Sequence, residues 1–194
     1  VDLAVNHHSP DQRFNLSLTT SFGFDENTLV PGDLTGSVLL PPTMYAPYDA
    51  NGKLVWRDNG YGSGNPLAEL QKRYSAKTKR LTARTLLRYA ILPNLQVKTS
   101  VGYNSYTLDE ETNTPMIAQD PNLNPRGSAS FGQSLSESWI VEPTVDYNIS
   151  NIAKKGVLQV LAGFTLQDAR SNNTRISGTG YTNDALLNTI AGAA

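Results

Sequence analysis

Between residues 81 and 106, LTARTLLRYAILPNLQVKTSVGYNSY, apolar and polar positions alternate with a period of two on both sides of Leu92-Pro93-Asn94. Leu81, Ala83, Thr85, Leu87, Tyr89 and Ile91 share one parity, and Thr82, Arg84, Leu86, Arg88 and Ala90 the other. Past the turn, Leu95, Val97, Thr99, Val101 and Tyr103 oppose Gln96, Lys98, Ser100, Gly102 and Asn104. This spacing predicts two antiparallel strands, each with one apolar face. Keeping the apolar sets together pairs Ile91 with Leu95 and Tyr89 with Val97, because a slip of one residue would exchange the faces. The three-residue loop that remains would place Asn94 in the left-handed conformation. Strands of soluble sheets run about 5 or 6 residues. Here the alternation lasts about twice as long, enough to cross a bilayer when tilted.

The same reading organises the rest of the chain. Val1, Leu3 and Val5 alternate with Asp2, Ala4 and Asn6, and residues 6–12, with His7, His8 and Pro10, read as a polar turn. Over residues 13–25, Phe14, Leu16, Leu18, Thr20, Phe22 and Phe24 oppose Asn15, Ser17, Thr19, Ser21, Gly23 and Asp25. Residues 26–77 lose the period, and a loop of that length should carry short elements of its own. A helical turn is expected over 33–40, a tight turn at Tyr48-Asp49-Ala50-Asn51-Gly52, a short strand over 53–56, and a helix opened by Asn65 as cap with Pro66 at its first position. Lys72 and Arg73 would lie near that helix's C-terminal end. Residues 108–136 read as a second long polar loop with Asp109-Glu110-Glu111 at a solvated tip. Trp139, Val141, Pro143, Val145, Tyr147 and Ile149 then alternate with Ile140, Glu142, Thr144, Asp146 and Asn148. Pro143 withholds a ladder donor, which predicts a bulge or local opening. After a turn over 150–156, Leu158, Val160, Ala162, Phe164 and Leu166 form a last strand. Residues beyond 168 read as polar loop, with a helix from Asp184 capped by Thr182 or Asn183.

Short connections, at 6–12, 92–94 and 150–156, alternate with long ones, at 26–77, 108–136 and beyond 168. Tight turns at one rim and long loops at the other are the pattern of bacterial outer-membrane barrels. On the apolar parity, Phe14, Tyr89 and Tyr147 lie towards the short turns, and Phe22, Phe24, Tyr103, Trp139 and Phe164 towards the long loops. These make two aromatic belts, as at two membrane interfaces. The predicted fold is an all-β, antiparallel, up-and-down transmembrane β-barrel segment of about six strands, with long extracellular loops carrying short helices. The alternative is a secreted or surface-exposed β-sandwich acting as a carbohydrate-binding or adhesion module, in which the apolar faces would meet across about 10 Å.

Composition excludes more than it selects. A net charge of −1 gives no argument for nucleic acid, and Lys77-Thr78-Lys79-Arg80 is the one short basic cluster. Cysteine is absent, so there is neither a disulfide framework nor a thiolate metal site. No apolar run approaches the length of a membrane-spanning helix. The sequence begins within an alternating run and shows no signal peptide, which suggests an excerpt of something longer. No metal, cofactor or catalytic constellation is expected: the only histidines are adjacent, and the acidic triplet lacks the spacing of a calcium loop. Glu142 and Asp146 share a strand face, yet four residues separate them by about 13 Å, long for a glycosidase pair. They read better as lumen charges opposite Arg88 and Lys98, on a bore-facing side that also carries Arg84, with Asp146 within ion-pair reach of Lys98.

Several stretches resemble a known family. Residues 33–56, DLTGSVLLPPTMYAPYDANGKLVW, followed by Asn65-Pro66-Leu67-Ala68, resemble the extracellular loop of SusC/RagA-type TonB-dependent transporters of Bacteroidetes outer membranes. Similar too are KTKRLTARTLLRYAILPNLQVKTSVGY, the later WIVEPTVDY, and the closing Gly180-Tyr181-Thr182-Asn183-Asp184. The resemblance spans nearly the whole chain through the order of its elements. It implies that residues 1–194 belong to a barrel of about 22 strands with a plugged lumen. It further implies TonB-driven import of oligosaccharides or peptides, an outer-membrane location in contact with lipid, and a SusD-like surface lipoprotein as partner. TonB would be reached through a plug region upstream of Val1. Tyr45, Tyr48, Trp56 and Tyr61 are loop aromatics that would either meet cargo or partner, or pack the loop's own small core.

Overall fold

The computed structural model describes residues 1–40, 46–56, 64–152 and 156–194, with the backbone alone at 151 and 152. It contains seven strands: β1 (Asp2–His8), β2 (Phe14–Leu29), β3 (Arg73–Leu92), β4 (Leu95–Thr114), β5 (Gly127–Ile152), β6 (Gly156–Gly163) and β7 (Leu166–Tyr181). They form one antiparallel sheet in the order β1-β2-β3-β4-β5-β6, with β7 also paired to β5. The chain is therefore all-β with neighbouring strands joined in sequence, as the alternation predicts. No second sheet is present among the described residues to cover the apolar faces, as the sandwich alternative requires.

Contacts divide the chain into two units whose boundaries fall inside strands. The first comprises residues 1–25, 78–107 and 134–172 and holds the short connections. Its apolar side chains are conspicuously uncovered. Phe22, Phe24, Tyr89, Trp139, Val145 and Phe164 are all exposed, and among its described residues no hydrophobic side chain is buried. Among the described residues, the one buried side chain in this unit is a carboxylate, Asp146.

Turn geometry departs from expectation in two places. His7 and His8 belong to β1, and the connection to β2 spans residues 9–13. There Ser9 Oγ donates to Asp11 Oδ1 at 2.5 Å, Arg13 N donates to the same oxygen at 3.2 Å, and Gln12 takes a φ of 56°. The Ser9 hydroxyl is the chief reason that the Asp11 carboxyl is held below its ordinary pKa. Between β3 and β4, Asn94 stays out of the left-handed region, contrary to expectation. Pro93 explains why: its ring fixes φ near −65°, which suits the first central position of a type I turn, whose second central residue also has negative φ.

The second unit comprises residues 26–77, 108–133 and 173–194. Much of what reads as loop is strand. β3 begins at Arg73, β4 carries Asp109, Glu110 and Glu111 half-buried within its length, β5 begins at Gly127 and β7 runs to Tyr181. The acidic triplet is therefore no loop tip. Helical segments among the described residues are all short 3-10 turns. Thr35–Leu39 follows Asp33, whose Oδ1 accepts from Thr35 N at 2.8 Å. Pro66–Gln71 is capped by Asn65, and Asp184–Leu186 by Asn183. Lys72 is already extended and Arg73 opens β3, so neither completes a helix. The expected strand over 53–56 is reduced to a single bridge, Tyr48 with Leu54. A small core forms here from Ala129, Tyr181 and Leu187, with Phe131 and Ala193 packed against it.

β6 and β7 both pair with β5 and are separated by Phe164 and Thr165. The interruption lies beside Pro143: Gly163 pairs with Thr144, and Phe164 N donates to the Pro143 carbonyl at 3.2 Å. Proline has no amide proton to return, so the ladder opens at that point.

The tight turn at 48–54 gives a pH prediction. Asp49 Oδ1 accepts from Lys53 N and Asn51 N at 2.8 Å each, and Gly52 takes a φ of 76°. The Lys53 amide, above all, holds the Asp49 carboxyl below its ordinary pKa. A depressed folded-state pKa means that the turn's support is complete above the unfolded value and is lost as pH falls through the folded one. Amide exchange at Lys53 should stay slow from neutral pH to about 5 and accelerate only below the ordinary carboxylate range. Asp49→Ala should exchange fast throughout.

Candidate functional site

One face of the first unit gathers the charged residues picked out by parity. Lys98 on β4 and Asp146 on β5 form the expected ion pair, Nζ to Oδ2 at 3.6 Å, with the Asp146 side chain 9% exposed. The carboxylate is surrounded by amides. Gln96 Nε2 donates to Oδ2 at 3.4 Å, Asn148 Nδ2 to Oδ1 at 3.2 Å and Gln159 Nε2 to Oδ1 at 3.3 Å. Register explains the set, since Asn148 pairs directly with Gln159 and Asp146 is two residues from Asn148 on the same face. A buried carboxylate needs this many donors, because an unpaired one would be strongly disfavoured.

Beside it lies a groove of about 470 Å³ lined by Arg88, Lys98, Glu142, His8, Asn15 and Ser17, among others. His8 hydrogen-bonds Asn15 Oδ1 on this face, while His7 packs on Phe14 with ring centroids 6.0 Å apart. Adjacent strand residues point to opposite faces, so the two histidines cannot share a metal. Further along β3, the Arg80 guanidinium lies 5.7 Å from the centre of the Tyr106 ring. Arg84 is exposed between Arg80 and Arg88 on the same parity.

In the second unit, Tyr48 and Trp56 are brought together. They line a cavity of about 340 Å³ with Leu54, Met116, Ile117 and Pro121. Asn65 builds its frame: the buried side chain donates from Nδ2 to Pro47 O at 2.6 Å and Val55 O at 3.1 Å, and Oδ1 accepts from Leu67 N at 2.9 Å. Asp184 fixes the opposite wall, with Oδ1 accepting from Met116 N at 2.7 Å. Tyr45 and Tyr61 lie outside the described residues. Gln96, Asn148, Gln159, Arg80, Tyr106 and Met116 are contributors that the sequence reading does not pick out. For Arg80 and Tyr106 the signal was available, an even-numbered Arg and Tyr on facing strands of the hairpin.

The same arrangement of strands recurs within larger solved structures. Solved structures of the RagAB peptide importer in its open-open and closed-closed states, and of the RagAB peptide transporter, match it with TM-scores of 0.76, 0.74 and 0.76. Sequence identity is 16% in each case, and all of this chain aligns with 22% of the matched chain. The chain thus spans about a fifth of those proteins' length. No family model and no curated protein matches its sequence.

Proposed function

We propose that this chain forms barrel wall and surface loops of an outer-membrane, TonB-dependent importer of the SusC/RagA type. One observation carries the reading. The first unit exposes a broad apolar face and buries no hydrophobic side chain among its described residues. Uncovered apolar surface on that scale is untenable in water and is what the outside of a transmembrane barrel requires. The opposite face, with Arg84, Arg88, Lys98, Glu142 and Asp146, then lines an aqueous bore. Cargo is an oligosaccharide or a peptide, and the peptide comes first because the structural neighbours are peptide importers. A SusD-like surface lipoprotein pairs with the loops, and Tyr48 and Trp56, with Tyr45 and Tyr61 from the same loop, meet cargo or partner. Energy comes from TonB through a plug region outside residues 1–194. The role is transport, with no chemical step.

Fractionation of cells expressing the native protein tests this. It should pellet with the outer membrane, resist extraction by alkali or urea, require detergent for release, and bring a lipid-anchored partner with it. Recovery from the aqueous fraction as a monodisperse monomer would overturn the reading.

A further inference from the structure

Resting on the importer reading, we infer that Arg80, Arg84 and Arg88 form a carboxylate-reading track along the bore, and that the cargo it selects is an extended acidic peptide. The three arginines stand four residues apart on β3, on the face shared with Tyr106 and with the groove of Arg88, Lys98 and Glu142. A strand rises about 3.3 Å per residue, so successive guanidiniums are set about 13 Å apart along the wall.

Their charge is left over from the protein's own pairing. None of the ion pairs among the described residues uses Arg80, Arg84 or Arg88. On this face of β3, β4 and β5 within the first unit, four cations meet two carboxylates, Glu142 and Asp146, with Asp146 engaged by Lys98 and its amides; the adjoining β1 and β2 add Asp2 and Asp25 on the same face, and no ion pair among the described residues joins either to an arginine. At 13 Å the arginines lie beyond the Debye length of about 8 Å at physiological salt, so they repel one another little. A single anionic chain that touches two or three of them gains from each.

Geometry favours a peptide. Guanidinium groups present a planar fork that accepts a carboxylate through two parallel hydrogen bonds. Arg80 lies over the Tyr106 ring, and a contact with a ring face does not consume the N–H donors at a guanidinium's edge. An extended peptide has the same rise per residue as β3, so acidic side chains four residues apart fall in step with the track. A polymer with another repeat falls out of step.

The test uses the protein released from its own membrane in detergent, with fluorescein-labelled nonapeptides as probes. Glu at positions 1, 5 and 9 among serines should bind at least about tenfold more tightly than the same peptide with Gln, given the strength of charge-assisted hydrogen bonds. That preference should shrink with added salt, disappear in the Arg84→Gln/Arg88→Gln variant, and turn towards Lys-bearing peptides in Arg84→Glu/Arg88→Glu. Circular dichroism of each variant checks that the sheet is intact. Equal binding of the Glu and Gln peptides overturns the track and leaves the importer reading standing. So does equal binding of a peptide with its three Glu contiguous, or stronger competition by a uronic-acid tetrasaccharide. Failure to bind any peptide also overturns the track, and membrane fractionation then shows independently whether the importer reading survives.

Discussion

Placing an arginine at Leu18 should destabilise the folded protein in lipid by about 2–4 kcal/mol, whereas the same substitution one residue later, at Thr19, should cost little. Leu18 lies midway between Phe14 and Phe22 on the apolar side of β2, paired with Val5 of β1. Thr19 faces the other way and is paired with Ala4. The asymmetry depends on what covers each face. Near the centre of a hydrocarbon layer a guanidinium is without water, and the loss corresponds to a roughly 30- to 1,000-fold drop in the folded population. In water both positions are surface sites, where substitutions usually fall within about 0.5 kcal/mol. Equilibrium unfolding in urea of the vesicle-inserted protein measures the difference directly. Equal shifts for Leu18→Arg and Thr19→Arg would mean that the apolar face does not meet lipid.

That comparison uses the feature most plainly written in the chain. Wherever apolar and polar residues alternate, as over 14–24, 81–103 and 139–149, strand, face and the Lys98–Asp146 pair follow from parity. The strands continue well past those limits, and there the pattern gives no warning. Residues 109–114 are polar on both parities, and in 73–77, 127–138 and 168–181 the apolar residues, such as Tyr74, Phe131, Leu135 and Ile176, are too sparse to mark a strand by themselves. They are strands because a paired neighbour satisfies their backbone groups, a non-local cause. Short 3-10 turns stand where helices were expected for a related reason. Pro66–Gln71 is held by its Asn65 cap and by packing against Met116–Ala118, with too few residues for an α-helix to nucleate on its own. The amide shell of Asp146 was illegible in the same way, since Gln159 reaches it only through the β5–β6 register.

Tyr181→Ala should be the most damaging substitution in the second unit, at about 3–5 kcal/mol, the usual range for removing a large buried aromatic. Tyr181 is fully buried, packed among Ala129, Leu187, Phe131 and Ala193, and its hydroxyl donates to Thr189 O at 3.0 Å. Glycines make the space: a Cβ at Gly178 would come within 2.8 Å of the Tyr181 hydroxyl, and one at Gly192 within 3.0 Å of the ring. Tyr181→Phe keeps the packing and loses the one hydrogen bond, so about 1 kcal/mol is expected. The gap between the two variants separates ring burial from hydroxyl pairing. The loss should also reach the loop cavity, because the segment that Tyr181 anchors carries Asp184, whose carboxylate holds the Met116 amide beside Ile117. In Tyr181→Ala, amide exchange at Met116 should therefore quicken together with that of residues 185–193, and Trp56 fluorescence should shift as the cavity wall loosens. Fast exchange at 185–193 with Met116 still protected would show that Asp184 does not transmit the change.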